Sequence, residues 1–233
     1  MLQNAETMRI SAQAAEFAHI GVLPAARYRN PSDCRWKRVF DIVGATLLLP
    51  LLVPVMVFIY LLLMCSGGNP VFTQRRVGQG GRMFRCYKFR SMVKDANRVL
   101  TDHLECDPAA RDEWNRSFKL AQDPRVTPFG QFLRRSSLDE LPQLFNVLFG
   151  DMSLVGPRPI VPSEIERYRD KIVAYCRCRP GLTGLWQVSG RNLIPYERRV
   201  RLDAVYARKQ SLALDAAILF RTVGVVISGR GAC

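Results

Sequence analysis

Leu133-Arg-Arg-Ser-Ser-Leu-Asp-Glu-Leu-Pro-Gln-Leu-Phe-Asn-Val-Leu-Phe-Gly-Asp-Met-Ser-Leu-Val-Gly-Pro-Arg-Pro159 is the stretch around which the chain is organised. Two adjacent carboxylates, Asp139 and Glu140, follow a basic pair, Arg134 and Arg135, and a rigidly framed cation stands in Gly156-Pro157-Arg158-Pro159. Such a set suits a metal-bound phosphate, because Mg²⁺ takes carboxylate and phosphate oxygens while a guanidinium fork matches phosphate geometry. The same residues also read as a helix N-terminus. Ser136 or Ser137 would cap it, Asp139 and Glu140 would favour its dipole, and Leu141, Leu144, Phe145 and Leu148 would form its buried stripe. The two readings are compatible, and composition does not choose between them.

Working outward, 233 residues suffice for one ordinary domain and an appendage. A formal charge of +14 requires an anionic partner or surface. Nucleic acid is disfavoured, since the basic residues show neither zinc spacing nor aromatic-basic interleaving. The seven cysteines are dispersed, no CxxC pair occurs, and they read as reduced thiols facing a cytosol. With two histidines standing apart, the chemistry falls to carboxylates and cations.

Between Ile42 and Cys65 there is no charge at all. As a helix this run measures ~35 Å, enough for a bilayer core of roughly 30 Å. Pro50 and Pro54 interrupt it, each removing an intrahelical hydrogen bond. Arginines and lysines flank it on both sides, which conflicts with a simple crossing because positive residues keep to the cytoplasmic face. The expectation is a re-entrant helix that enters one leaflet, breaks near Pro54 and returns. Residues 1–34 are expected to form a mobile leader, with an amphipathic helix around Met8–His19 as the alternative. Residues 35–66 make the membrane helix and 67–233 a catalytic, membrane-associated domain.

After a turn at 66–70, Val71–Arg76 reads as a short strand, and a hairpin loop leads to a second, Met83–Met92, which alternates apolar and polar residues. A two-residue period sets Lys88 and Arg90 on one face, as a phosphate contact or a solvated edge would have them. Residues 93–125 read as charged helices broken near Asp107-Pro108, with Trp114 and Phe118 four apart. One helix is expected over Ser163–Cys176. Residues 177–192 are glycine-rich: Gly181, Gly184 and Gly190 would allow close approach to a ligand. There Arg179, Trp186, Gln187 and Arg191 offer charge, stacking and hydrogen bonds for a nucleotide, with a purely structural loop as the alternative. A basic helix over 195–209 carries the isolated carboxylate Asp203. An apolar helix, Leu212–Ile227, would pack in the core or lie in a membrane interface. The fold class expected is α+β and mostly helical, a re-entrant membrane helix plus a small cytosolic or interfacial domain with a short β-hairpin.

Several ordered motifs carry a resemblance covering roughly Trp36 to Gly229. They are Lys37-Arg-Val-Phe-Asp41, the proline-broken helix, Val71-Phe-Thr-Gln-Arg75, Tyr87-Lys-Phe-Arg-Ser-Met92, Arg134 to Leu148, Gly150 to Pro159, and Arg179-Pro-Gly-Leu-Thr-Gly184. With them the chain resembles the bacterial sugar transferases, monotopic phosphoglycosyl transferases of the cytoplasmic face of the inner membrane. The resemblance implies Mg²⁺-dependent transfer of a hexose-1-phosphate, galactose or glucose, from a UDP-sugar to undecaprenyl phosphate with release of UMP. It implies that Asp139 is the nucleophile and that Glu140 sits beside it at the metal. By the same resemblance Arg134 and Arg158 would contact phosphate, with Lys88 nearby and Asp203 a further acid in the site; Arg90, from its strand face, and Arg191, from the glycine-rich loop, are counted with them as candidate phosphate contacts. Larger relatives carry extra transmembrane helices, so the expectation here is the small type that starts exopolysaccharide synthesis. Inner-membrane lipid is the expected surface, and a homodimer is allowed for. A membrane-anchored basic scaffold is the non-enzymatic alternative.

Overall fold

The structure, a computed structural model, describes residues 35–117 and 120–228. The expected leader, its alternative helix and Phe118 lie outside the described residues. Helix α1 (Arg35–Cys65) is followed by the hairpin β1 (Val71–Val77) and β2 (Met83–Phe89), then by α2 (Ala96–Cys106) and α3 (Pro108–Ser117). Helices α4 (Pro128–Ser136) and α5 (Gln143–Phe149) bracket a 3₁₀ turn, Leu138–Glu140. Strand β3 (Ser153–Val155) precedes α6 (Ile165–Tyr168) and α7 (Ile172–Arg177). Strand β4 (Gly181–Thr183), α8 (Tyr196–Lys209) and α9 (Leu212–Ser228) complete the described chain.

Among the described residues, α1 is the one helix long and apolar enough to cross a membrane. Its assignment runs unbroken through Pro50 and Pro54, so the break expected near Pro54 is not found. The prolines withhold N–H donors only from the carbonyls of Thr46 and Pro50, and the flanking turns keep the helix going. One seam of α1 is buried, from Lys37, Asp41 and Ala45 to Met56, Ile59 and Leu63. Outward-facing Leu47 and Leu51 remain 73% and 72% exposed. Both ends are tied to the same body. Arg38 donates to the carbonyls of Val147 and Leu148, capping the C-terminus of α5, while Arg90 donates to Leu63 O (3.2 Å) and Ser66 Oγ (2.8 Å).

The hairpin forms as the alternation predicts, antiparallel, with Phe72 opposite Lys88, Gln74 opposite Cys86 and Arg76 opposite Phe84. Buried Asn146 on α5 serves as a third edge for β2. Its Oδ1 accepts from Tyr87 N (3.0 Å) and its Nδ2 donates to Arg85 O (2.7 Å). Strands β3 and β4 pair in parallel, an arrangement the periodicity did not signal. They pack backbone to backbone: a Cβ on Gly181 would lie 2.0 Å from Gly156 N, and one on Gly184 2.2 Å from Gly156 O. Gly181 and Gly184 therefore admit the protein's own chain, and Gly181 also lines the cleft described below. The single helix expected over Ser163–Cys176 is instead a series of short turns, interrupted where Arg169 adopts φ +47°. Tyr168 and Tyr175 thereby both turn inward, their rings edge to face at 5.3 Å. Trp114 packs under Arg125, 4.9 Å from its guanidinium carbon.

At the start of α1 lies a buried ionic cluster. Lys37 Nζ is 3.3 Å from Asp41 Oδ1, 2.8 Å from Asp215 Oδ2 on α9, and donates to Val155 O at 3.1 Å. Asp41 Oδ1 accepts from Leu154 N and Ser153 Oγ, and the Tyr206 hydroxyl donates to Asp215. Helix α9 is thus anchored through Asp215 and Ile218, while Phe220 and Val223 face outward at 83% and 60% exposure.

Candidate active site

Asp139 and Glu140 lie on the 3₁₀ turn between α4 and α5. Neither serine caps a helix there. Ser136 Oγ donates back to Phe132 O, and Ser137 closes α4 in the left-handed region at φ +59°. Helix α5 starts only at Gln143, so the carboxylates do not serve its dipole as N-cap residues. Leu144 is buried as expected, but Phe145 is 38% exposed.

The sharp turn brings both carboxylates against β2. Lys88 Nζ lies 2.6 Å from Glu140 Oε1 and 3.7 Å from Asp139 Oδ2, and Arg158 Nη1 lies 3.5 Å from Glu140 Oε1. Burial alone would raise the Glu140 carboxyl, but Lys88 and Arg158 overcome it and hold the group at about 2. Asp139 goes the other way: burial, reinforced by the neighbouring Glu140, pushes it above the ordinary aspartate range against the pull of Lys88, Arg134 and Arg158. Arg134 faces the pair from the last turn of α4, its Nε donating to Ser91 Oγ at 2.9 Å.

A cleft opens beside Glu140, lined by Arg76, Lys88, Glu140, Gln143, Arg158 and Gln187; Asp139 and Arg134 lie next to it rather than in its lining. Three cations against one carboxylate give it a net positive lining suited to a phosphorylated ligand. Lys88, Arg134 and Arg158 therefore gather around the dyad. Arg90 is not brought there; it holds the end of α1. Arg191, itself at φ +51°, reaches the turn from the glycine-rich loop, with Nη2 donating to Ser137 Oγ at 3.3 Å. Asp203 is 1% exposed and does not line the cleft. It accepts from the Tyr168 hydroxyl at 2.7 Å. Burial pushes it up to about 8, against that hydrogen bond and the attraction of Arg158. Trp186 is not free to stack on a base. It is 4% exposed, with Arg199 at 5.0 Å and Arg158 at 5.9 Å over its ring.

Arg76 and Gln143 were not singled out from the sequence. For Arg76 the signal was present: extending the two-residue period across the hairpin puts Arg76 on the face that carries Lys88.

Among the described residues no group of three or more His, Cys, Asp or Glu could hold a metal ion. Asp139 and Glu140 are the two neighbouring carboxylates that could hold Mg²⁺, an ion that commonly binds one or two carboxylates and completes its shell with water and substrate phosphate.

A family model for the bacterial sugar transferases matches residues 32–229. Among curated proteins, the chain is 52% identical to a UDP-galactose-lipid carrier transferase of Erwinia amylovora over 196 residues, covering 84% of this chain and 41% of that protein. The undecaprenyl-phosphate galactose phosphotransferase of Salmonella typhimurium matches with the same identity and coverage. The exopolysaccharide production protein ExoY of Rhizobium meliloti is 46% identical, over 84% of this chain and 87% of that protein. The chain thus spans about two-fifths of the length of the first two and most of the third.

Proposed function

This chain belongs to the bacterial sugar transferase family, and we propose that it transfers a hexose-1-phosphate from a UDP-sugar to undecaprenyl phosphate, releasing UMP, as the first step of exopolysaccharide synthesis. The observation that carries this reading is the Asp139–Glu140 pair, Asp139 buried and Glu140 lining a basic cleft, held under Lys88, Arg134 and Arg158. Galactose is the sugar favoured over glucose, because three relatives named for galactose are 44–52% identical and two named for glucose are 42% and 39% identical. The scaffold alternative loses its main support, since the carboxylates are not helix caps.

The chemistry divides into two displacements. An Asp139 carboxylate oxygen attacks the phosphorus that bears the sugar; a P–O bond forms, the P–O bond to the uridine-side phosphate breaks, and UMP leaves with the electron pair. An oxygen of the lipid phosphate then attacks the same phosphorus. The bond to Asp139 breaks, leaving the sugar on a lipid diphosphate and the carboxylate restored. Glu140 stays ionised throughout, and Lys88 and Arg158 offset charge on the transferring oxygens. Arg134 keeps a cation beside Asp139. Asp139 and Glu140 would hold Mg²⁺, which when bound adds charge neutralisation at the transferring phosphate.

The acceptor is a lipid, so the site must be held at a membrane. Helix α1 serves this if both its ends stay on one face, its proline-bearing middle dipping into one leaflet although the helix is not interrupted there. Attachment of both its ends to one small body supports that course over a crossing. The exposed apolar residues of α9 fit an interfacial position. The test is to supply the purified full-length protein with UDP-galactose alone. A phosphosugar bound to the protein, discharged on adding undecaprenyl phosphate, supports the scheme; turnover only when both substrates are bound together rejects the covalent step.

A further inference from the structure

Arg158 projects from a backbone fixed at almost every peptide around it. Gly156 N donates to Thr183 O (2.9 Å), Gly181 N to Pro157 O (2.7 Å) and Val77 N to Ile160 O (2.9 Å). Ile160 N donates to the Tyr175 hydroxyl at 3.2 Å, and that hydroxyl donates to Val77 O at 2.7 Å. The carbonyl immediately after Arg158, that of Pro159, is taken by Arg76 Nη1 at 2.9 Å.

Arg76 is an unusual choice for that bond. Its side chain is 14% exposed, its Nε is buried without a partner, and Glu164 is 3.9 Å away. Burial and the like charge of Arg158 both push its guanidinium below the ordinary arginine range. A neutral amide could hold a carbonyl at less electrostatic expense. What arginine adds is a fixed charge and a rigid fork. The charge acts on Glu140, whereas the charges acting most on Asp139 are Lys88, Glu140, Arg134 and Arg158. Although Arg76 lines the cleft, each of its Nη atoms already donates to a protein acceptor, Pro159 O and Gln74 Oε1 at 2.6 Å, which fixes the plane of its fork.

We infer that Arg76 is a positioning residue for the transfer: it holds the Pro159 carbonyl so that Arg158 rests against Glu140 and faces the bound phosphate, without touching the substrate itself. This rests on the reading that Arg158 contacts phosphate.

A double-mutant cycle on the full-length protein tests it, reading UMP release from UDP-galactose and UDP-glucose with undecaprenyl phosphate. Arg76→Gln lowers kcat/KM by about 10- to 100-fold, the scale of a displaced catalytic contact. In an Arg158→Lys background the same change lowers it by less than about threefold, because the contact it serves is already impaired. Arg76→Lys, which keeps the charge and one donor, recovers part of the loss and replaces Arg76→Gln in both backgrounds if that variant does not fold. Equal losses in the two backgrounds, or no loss in the first, overturn the inference. Silence of the wild-type protein with both sugars overturns the transferase reading for those sugars and takes the inference with it.

Discussion

Lys88 Nζ donates to Glu140 Oε1 across 2.6 Å, joining β2 to a turn 52 residues later in the chain. That single bond closes the dyad onto the hairpin. It keeps the Glu140 carboxylate charged in a place where burial would otherwise neutralise it. Lys88→Met leaves that carboxylate short of a partner and is expected to reduce stability by about 1–3 kcal/mol. Chemical denaturation of the detergent-solubilised protein reads this, and an unchanged midpoint would show that Arg158 alone suffices.

Asp139→Asn keeps the shape of the side chain and removes the nucleophile. Turnover is expected to fall by at least about a thousandfold, with a thermal midpoint close to that of the parent. Radiolabelled UDP-galactose should leave no label on the variant. Residual transfer at a tenth of the parental rate would move the nucleophile elsewhere.

Lys37 lies between two carboxylates that are 0% exposed, Asp41 and Asp215. Lys37→Met leaves both of them buried without their cation, which typically costs about 3–5 kcal/mol. The added change Asp215→Asn should recover part of that loss by removing one of the stranded charges. A thermal scan of the single and double variants decides it; a single variant as stable as the parent would mean the cluster does not hold α9 to α1.

The hairpin was legible in the sequence because a glycine-rich turn, Val77–Gly81, separates a short strand-like run from a second run that alternates apolar and polar residues, and α8 and α9 because their composition changes sharply at their ends. Lys88, Arg134 and Arg158 were legible as cations near a carboxylate pair. The β3–β4 pairing was not: each strand is three residues long, too short for a period, and its register depends on contact between Gly156 and Gly181. Arg90 was misplaced for a similar reason. It lies just past the end of β2, where alternation stops governing direction and the end of α1 supplies acceptors. The position of Asp203 depends on Tyr168 and Tyr175 turning inward, which follows from the kink at Arg169 rather than from any local pattern.

Asp203 gives a pH dependence with a definite sign. Its carboxyl stands at about 8 in the folded chain against an ordinary value of 3.8. The folded state therefore holds this proton more tightly than the unfolded one. Its contribution is fully present below the unfolded value and is lost as pH rises through about 8, at up to about 1.4 kcal/mol per pH unit. The thermal midpoint of the parent should fall between pH 5.5 and 8.5 more steeply than that of Asp203→Asn. Parallel curves would mean the buried carboxyl titrates alike in both states.

Helix α1 makes the membrane course testable at two positions outside its apolar core. Arg35 opens the helix, and exposed Lys94 lies beyond β2 on the body that also holds Leu63 through Arg90. If α1 returns to the face it left, cysteines placed at both positions, in a background with the native cysteines replaced by serine, react with an impermeant thiol reagent from the same side. A helix of 31 residues reaches about 46 Å when straight, long enough to carry its ends to opposite faces. Length alone thus permits either course. The attachment of both helix ends to one body favours the re-entrant course. Arg38 grips the C-terminus of α5 at one end of the helix, and α5 in turn grips β2 through Asn146, whose strand leads to Arg90 at the other end. A crossing would have to draw this hydrogen-bonded path, with its buried charges, through the hydrocarbon. Labelling of Arg35→Cys from inverted vesicles and of Lys94→Cys only from intact spheroplasts, or the reverse, would reject the re-entrant course.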